Sequence, residues 1–316
     1  MNYLLHIPAA LALDLLLGDP RWMPHPVRGM GWMAERVKRA AEGMCPGPLS
    51  AGVCTAAAVV LCSTVLAYAL VRGAAMVHPW AADAAAVWLI YSTVAVRDMH
   101  RHSSDVYRAL AAGDLERARR SVGRMVGRDT ESLDESGITR AGVESVAEGI
   151  VDGVTAPLFY AFLAGPVGAV AYRAVNTLDS MYGYRHGEFR RFGTASARLD
   201  DAANYVPARL TAPLVCAAGG LMRLRFVRAV KTLLRDGRKH SSPNAGLCEA
   251  AVAGALGVRL GGVNYYFGEP DPKPTLGEPL EKLQKDHLRS ANLLALATVG
   301  LFAACGVAVQ QAVTFL

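Results

Sequence analysis

Six cysteines occur in 316 residues, and no two of them are spaced as CxxC. A disulfide framework or structural zinc site is therefore not expected. Most of these thiols (Cys45, Cys54, Cys62, Cys216, Cys248, Cys305) lie in apolar stretches, as small hydrophobes do. No P-loop, GxGxxG fingerprint or GxSxG elbow is present, so the familiar nucleotide-binding and serine-hydrolase frameworks are not expected. No basic run carries interleaved aromatics, which argues against nucleic acid as a partner. Alternating strand patterns are scarce, and internal repeats and low-complexity tracts are absent. The first apolar stretch has no Lys or Arg before it, and LLLGDPRW offers no small-x-small cleavage site. A retained membrane helix is expected there rather than a removable signal peptide.

Charge is scarce as well. Only 19% of residues are Asp, Glu, Lys or Arg, and they gather in blocks between long uncharged runs, while 52% are hydrophobic. With a mean hydropathy of +0.23, this patterning predicts a mainly α, polytopic integral membrane protein. The expectation is one membrane domain over residues 1–316, with about four to five transmembrane helices, a broken re-entrant hairpin and large helical cytoplasmic loops. The membrane segments are placed at residues 3–17, 49–71, 80–96, 153–172 and 291–316. Eight arginines, from Arg97 to Arg128, follow the third segment, and Arg21, Arg28, Arg36, Lys38 and Arg39 lie between the first two. The positive-inside rule therefore assigns residues 18–48, 97–152 and 173–290 to the cytoplasm. Within 153–172, Pro157 and the pair Gly165-Pro166 interrupt the run, which favours a hairpin over a continuous span. Residues 210–222 are apolar but span only about half a bilayer, so they are expected to be buried or interfacial. The basic stretch after them is expected to rest on the cytoplasmic side, against anionic lipid.

Against this scarcity of charge, Glu144, Glu148 and Asp152 stand at steps of four. That spacing puts three carboxylates on one helix face, where they repel unless a cation neutralises them. Hard oxygen ligands of this kind suit Mg²⁺. The alternative is a solvated acidic face balanced by arginines such as Arg140. Three further stretches carry candidate chemistry. In residues 14–31, Asp14 falls inside an apolar helix, and Asp19 and His25 follow in a loop stiffened by Pro20, Pro24 and Pro26. The alternative here is a rigid helix exit. Residues 173–209 mix Arg173, Arg185 and Arg209 with Asn176, Asn204, Asp179, Asp200 and Asp201. Guanidinium forks grip phosphate, but a structural salt-bridge network has the same composition. In residues 240–268, His240, Ser242 and Asn244 precede a helix start able to hold an anion or simply be capped. Gly261 and Gly262 there permit close backbone approach before Tyr265 and Tyr266, rings able to stack on a flat ligand.

Four stretches, DLLLGDP followed by HPV, GITRAGVESVAEGIVDG with the residues through SMYGYR, RLDDAANYVPAR, and SPNAGLCEAAVAGALGVRLGGVNYYFG, resemble the adenosylcobinamide-phosphate synthase family, called CobD or CbiB. The likeness covers nearly the whole chain and is weakest over residues 43–80 and in the last helix. It implies an ATP- and Mg²⁺-dependent amide ligation that joins adenosylcobyric acid to (R)-1-amino-2-propanol or its O-phosphate. It also implies a corrinoid substrate, a bilayer location with a cytoplasmic active site, and neighbouring membrane-associated enzymes of late cobalamin assembly. Under this reading Glu144, Glu148 and Asp152 hold the metal. Arg173, Asn176, Arg185, Arg209, Ser242, Asn244 and Tyr265 bind nucleotide or substrate. His25 or His240 takes the amine proton, with Asp19 and Asp179 as further candidates. One departure is visible: the family motif runs close to ESVAENTVDG, whereas this chain has Gly149 and Ile150. A membrane transporter, and a non-catalytic membrane sensor or scaffold, are the rival readings.

Overall fold

The computed structural model describes residues 3–20, 22–183 and 189–314. In chain order the helices are α1 (Tyr3–Leu17), α2 (Pro26–Met44), α3 (Pro48–Val77), α4 (Pro79–Tyr91), α5 (Val96–Ala111), α6 (Leu115–Val122) and α7 (Glu135–Ile150). A π-helical turn, Val151–Thr155, leads into α8 (Ala156–Tyr182). Then come α9 (Phe189–Phe192), α10 (Thr194–Leu221), α11 (Phe226–Asp236) and α12 (Ala245–Leu256), the strands β1 (Leu260–Tyr266) and β2 (Glu269–Leu276), and α13 (Asp286–Thr314). Among the described residues, Pro48–Val77, Pro79–Ala111, Glu135–Tyr182 and Asp286–Val313 are long and apolar enough to cross a membrane. The chain is a mainly α, multi-pass membrane protein. It divides into two compact units.

The first unit comprises Met1–Ala95, Ala156–Asn204 and Cys305–Leu316. Proline opens α2, α3 and α4 at the first turn, where its missing N–H leaves no hydrogen bond unmade. The core joins α2, α3 and α8 through Ala34, Ala41, Ala51, Ala56 and Val59, with Leu178, Tyr182 and Phe192 filling the gaps. Such small residues let backbones approach closely, the usual basis of helix association in lipid. Gly52 is required in this contact, because a Cβ there would run into the backbone of Phe192. On the outer face of α3, Leu61, Leu66 and Met76 are exposed. That pattern suits hydrocarbon solvent rather than water.

Helix α8 is two helices. Ala164 (φ −136°, ψ 20°) and Gly165 (φ 63°, ψ −153°) leave helical geometry just before Pro166. The Gly165 conformation is open in practice only to a residue without Cβ. The rings of Tyr160 and Tyr172 stack with centroids 5.3 Å apart, whereas twelve residues of straight helix would separate them by about 18 Å. The chain therefore turns back on itself at the Gly-Pro pair, where the sequence placed the break.

The second unit comprises Val96–Thr155 and Tyr205–Ala304. Buried Ile138, Val143, Val146 and Ile150 fix the inner face of α7. Gly149 packs against Met99 of α5, whose sulfur would lie 2.8 Å from any Cβ added there. Strands β1 and β2 form an antiparallel hairpin, which corrects the reading of residues 173–290 as mainly helix and loop. Its two-residue turn places Phe267 and Gly268 at positive φ, as a primed hairpin turn demands. The Asp129 carboxylate accepts both turn N–H groups, from Phe267 at 3.2 Å and Gly268 at 2.7 Å.

At the far end of β2, the Asp236 carboxylate accepts from the Gly277 N–H at 2.9 Å and pairs with Arg235 and Lys239, each at 2.7 Å. Its side chain is 1% exposed. The Arg235 hydrogen bond, ahead of any opposing effect of burial, holds the carboxyl well below the usual range. A depressed folded-state pKa stabilises the fold above the unfolded value of about 4, and the benefit fades as pH falls below it. Asp236→Asn is expected to cost about 2–3 kcal/mol near pH 7. The deficit should shrink in acid, as followed by thermal unfolding in detergent across pH.

Candidate functional site

In the second unit, α7, α12, the hairpin and the loops before α7 and α12 enclose a cavity of about 140 Å³. One turn of α7 separates Glu144 from Glu148, and both line it. Glu144 is held on both oxygens. Oε2 receives Arg128 Nη2 at 2.7 Å, and Oε1 receives the Gly261 N–H at 2.7 Å. Arg128 also donates to buried Asn264 of β1, and Arg140 donates to the carbonyls of Gly261 and Val263. This close approach requires a glycine at 261, where φ is +78° and a Cβ would strike the carbonyl of Pro274.

Glu148, by contrast, projects into the cavity, where it is solvent-accessible, and accepts no hydrogen bond from the described residues. Glu249 of α12 faces the same space, 8% exposed and likewise without a hydrogen bond. Burial, and then the charges of Glu144 and Glu148, hold the Glu249 carboxyl well above the usual range. From β2 comes Lys273. Burial works against its ammonium, but the nearby Tyr266, Glu148 and Glu249 raise its pKa above the ordinary value. Tyr266 and His240 complete the polar wall. His240 Nδ1 accepts the Ser242 N–H at 3.0 Å. In the neutral ring that contact puts the proton on Nε2, making that nitrogen a donor.

The remaining candidates are placed as follows. Asp152 sits on the π-helical turn and is not among the cavity-lining residues. Its charge bears on buried Cys248. The Arg209 guanidinium stacks 3.4 Å from the Tyr205 centroid and donates to the Tyr205 carbonyl, the Asn244 side chain and the Pro243 carbonyl. It thereby braces the loop that starts α12, in which Ser242 Oγ accepts the Asn244 N–H. Tyr265 is half-exposed, and the cavity is faced instead by its neighbour Tyr266. Among the described residues no group of three or more His, Cys, Asp or Glu is arranged to hold a metal ion. Arg185 lies outside the described residues.

The first unit holds the other polar candidates. Asp14 is fully buried within α1, and Asp19 pairs with His25 at 3.2 Å in the proline-stiffened loop. On α8, Arg173 donates to Asn176 at 3.0 Å, and on α10 Asn204 donates to Asp200 at 2.9 Å while accepting from Tyr172. Burial, and next the charge of Asp179, push the Asp200 carboxyl up to about 7. A raised folded-state pKa favours the fold at low pH, and that benefit is lost as pH climbs from about 4 towards 7. Asp200→Asn is therefore expected to raise the thermal midpoint more at pH 8 than at pH 5. An equal shift at both would remove the buried-carboxyl account.

Arg128, Glu249 and Lys273 were not singled out from the sequence. Glu249 had a usable signal, being the lone carboxylate in the apolar run of residues 245–256. Lys273 had none, because its strand went unrecognised. Arg128 was one arginine in a block of eight.

The family model described as CobD/Cbib protein matches residues 7–295. The chain is 44% identical over 290 residues to the cobalamin biosynthesis protein CobD of Leptospira interrogans, with 92% of each chain covered. It is 47% identical over 274 residues to the protein of that name from Geobacter metallireducens, covering 87% of this chain and 86% of the other. It is 43% identical over 308 residues to the cobalamin biosynthesis protein CbiB of Salmonella typhimurium, covering 94% and 96%. No solved structure matches.

Proposed function

Because this chain belongs to the CobD/CbiB family, we propose that it acts in cobalamin biosynthesis by ATP-dependent amide ligation. The carboxylate of adenosylcobyric acid is joined to 1-amino-2-propanol or its O-phosphate. The observation that carries this reading is the cavity itself, where two carboxylates without hydrogen bonds among the described residues, Glu148 and Glu249, face the same space as Lys273. A carboxylate accepts an amine only after its oxygen becomes a leaving group, and transfer of the γ-phosphoryl group of ATP to that oxygen achieves this. The amine then attacks the carbonyl carbon and inorganic phosphate departs.

The residues suit the phosphate end of such a reaction. The cavity volume is far below the roughly 300–1,000 Å³ of a drug-sized ligand, so it suits a phosphate and its ion rather than a corrin ring. Lys273 presents a positive charge for phosphate oxygens, and His240 lines the same wall. Carboxylate oxygens are the donor type that Mg²⁺ takes, and the ion usually keeps several waters and adds phosphate oxygens. Bound there, Mg²⁺ supplies charge neutralisation at the transferring phosphoryl group. To take the amine proton, His240 must first release the Ser242 N–H. The arginines following the third apolar segment support a cytoplasmic location for the cavity.

The test is purified protein in detergent with cobyric acid, ATP, Mg²⁺ and the amino alcohol or its phosphate. Amide product and ADP are expected in equal amounts. A transporter would act only across sealed vesicles, and a scaffold would consume no ATP. Absence of amide with both amines would overturn the reading.

A further inference from the structure

We propose that Glu148 and Glu249, rather than the three-carboxylate ladder, hold a divalent cation in this cavity, and that Lys273 receives the phosphate the ion carries. The proposal rests on the ligation reading only for the identity of the ion and its phosphate.

Each carboxylate in the neighbourhood is in a different state. Glu144 has both oxygens engaged, one by the Arg128 guanidinium and one by the Gly261 N–H. Its charge is matched within the protein, so it gains little from a metal. Asp152 sits on the π-helical turn and does not line the cavity. Glu249 is the informative one. It sits nine-tenths buried on an apolar helix, lines the cavity and accepts no hydrogen bond from the described residues. A buried carboxylate without a partner is costly to keep. Glu148 enters the same space from α7, also without a hydrogen bond.

Lys273 lies close enough to influence both charges, yet makes no ion pair within 4.0 Å with any described residue. A lysine that served only to neutralise the two glutamates would close on one of them. Here Lys273 from β2, Glu148 from α7 and Glu249 from α12 line one cavity without an ion pair among the described residues. A hard cation on the carboxylates with a phosphate oxygen turned to the ammonium fills such a space with both signs matched. Two protein carboxylates completed by water and phosphate is an ordinary Mg²⁺ arrangement.

Mn²⁺ serves as the probe, because its free form is counted by electron paramagnetic resonance without any turnover. Purified protein is titrated with Mn²⁺ alone, then with Mn²⁺ and inorganic phosphate or a non-hydrolysable ATP analogue. Glu249→Gln and Glu148→Gln are each expected to weaken Mn²⁺ binding at least about 10-fold. Wild-type affinity in Glu249→Gln, or a larger loss in Asp152→Asn than in Glu249→Gln, would overturn the assignment. Should Glu249→Gln fail to fold, Lys273→Met carries the test. It is expected to bind Mn²⁺ alone at least as tightly as wild type while losing most of the tightening that phosphate or the analogue confers. Unchanged tightening would overturn the role of Lys273. Loss of Mn²⁺ binding sites without loss of amide formation would sink this proposal and spare the ligation, whereas specific Mn²⁺ binding without amide formation would do the reverse.

Discussion

Replacing Arg128 with Met is expected to destabilise the second unit by about 3–5 kcal/mol, the usual consequence of removing one partner from a buried ion pair. The Arg128 and Glu144 side chains are 5% and 13% exposed, so the Glu144 charge would be left with only the Gly261 N–H. The lost guanidinium also anchors Asn264 on β1, so the hairpin should loosen with it. A fall of about 10 °C in the unfolding midpoint in detergent would register the effect. The double variant Arg128→Met with Glu144→Met should recover much of the loss, because apolar replacement of a whole buried pair is often neutral. An unchanged midpoint in the single variant would mean that water reaches Glu144 freely.

Glu148→Gln should behave in the opposite way, losing turnover by about 10²- to 10³-fold while keeping the fold. Glu148 makes no hydrogen bond among the described residues, and its charge opposes that of Glu249 although Lys273 attracts it, so removing that charge is not expected to destabilise the fold. The thermal midpoint should hold or rise. Amide formation under saturating ATP and Mg²⁺, measured beside that midpoint, separates the two possibilities. Wild-type turnover would remove Glu148 from the chemistry, and a large fall in the midpoint would show that it is structural.

What the sequence revealed was mostly apolar length and backbone punctuation. Residues 49–71 fall inside α3 and residues 291–316 overlap α13, because uncharged runs of that length have one use. Gly165-Pro166 marked the reversal within α8 because few residues fit that turn. Residues 80–96 were harder. The apolar run continues past Tyr91, where α4 ends, and α5 begins only at Val96. Residues 210–222 are the end of a 28-residue helix, hidden because Asp200, Asp201 and Arg209 break its apolar character.

The site was legible in part for similar reasons. Steps of four read α7 as far as Glu148, but no periodicity announces the π-helical turn on which Asp152 sits. The hairpin was missed because β2 alternates prolines rather than apolar residues. Pro270, Pro272 and Pro274 occupy every second position, and residues without N–H suit the unpaired side of an edge strand. That pattern delivers Lys273 to the cavity, and with it the charge that makes sense of Glu249.

The account depends most on the oxygen that leaves when the amide forms. Cobyric acid labelled with ¹⁸O in its free carboxylate should, after one turnover with ATP, release inorganic phosphate carrying one ¹⁸O for each amide made. Label appearing in AMP, or amide forming with no label in phosphate, would contradict phosphoryl activation at this cavity.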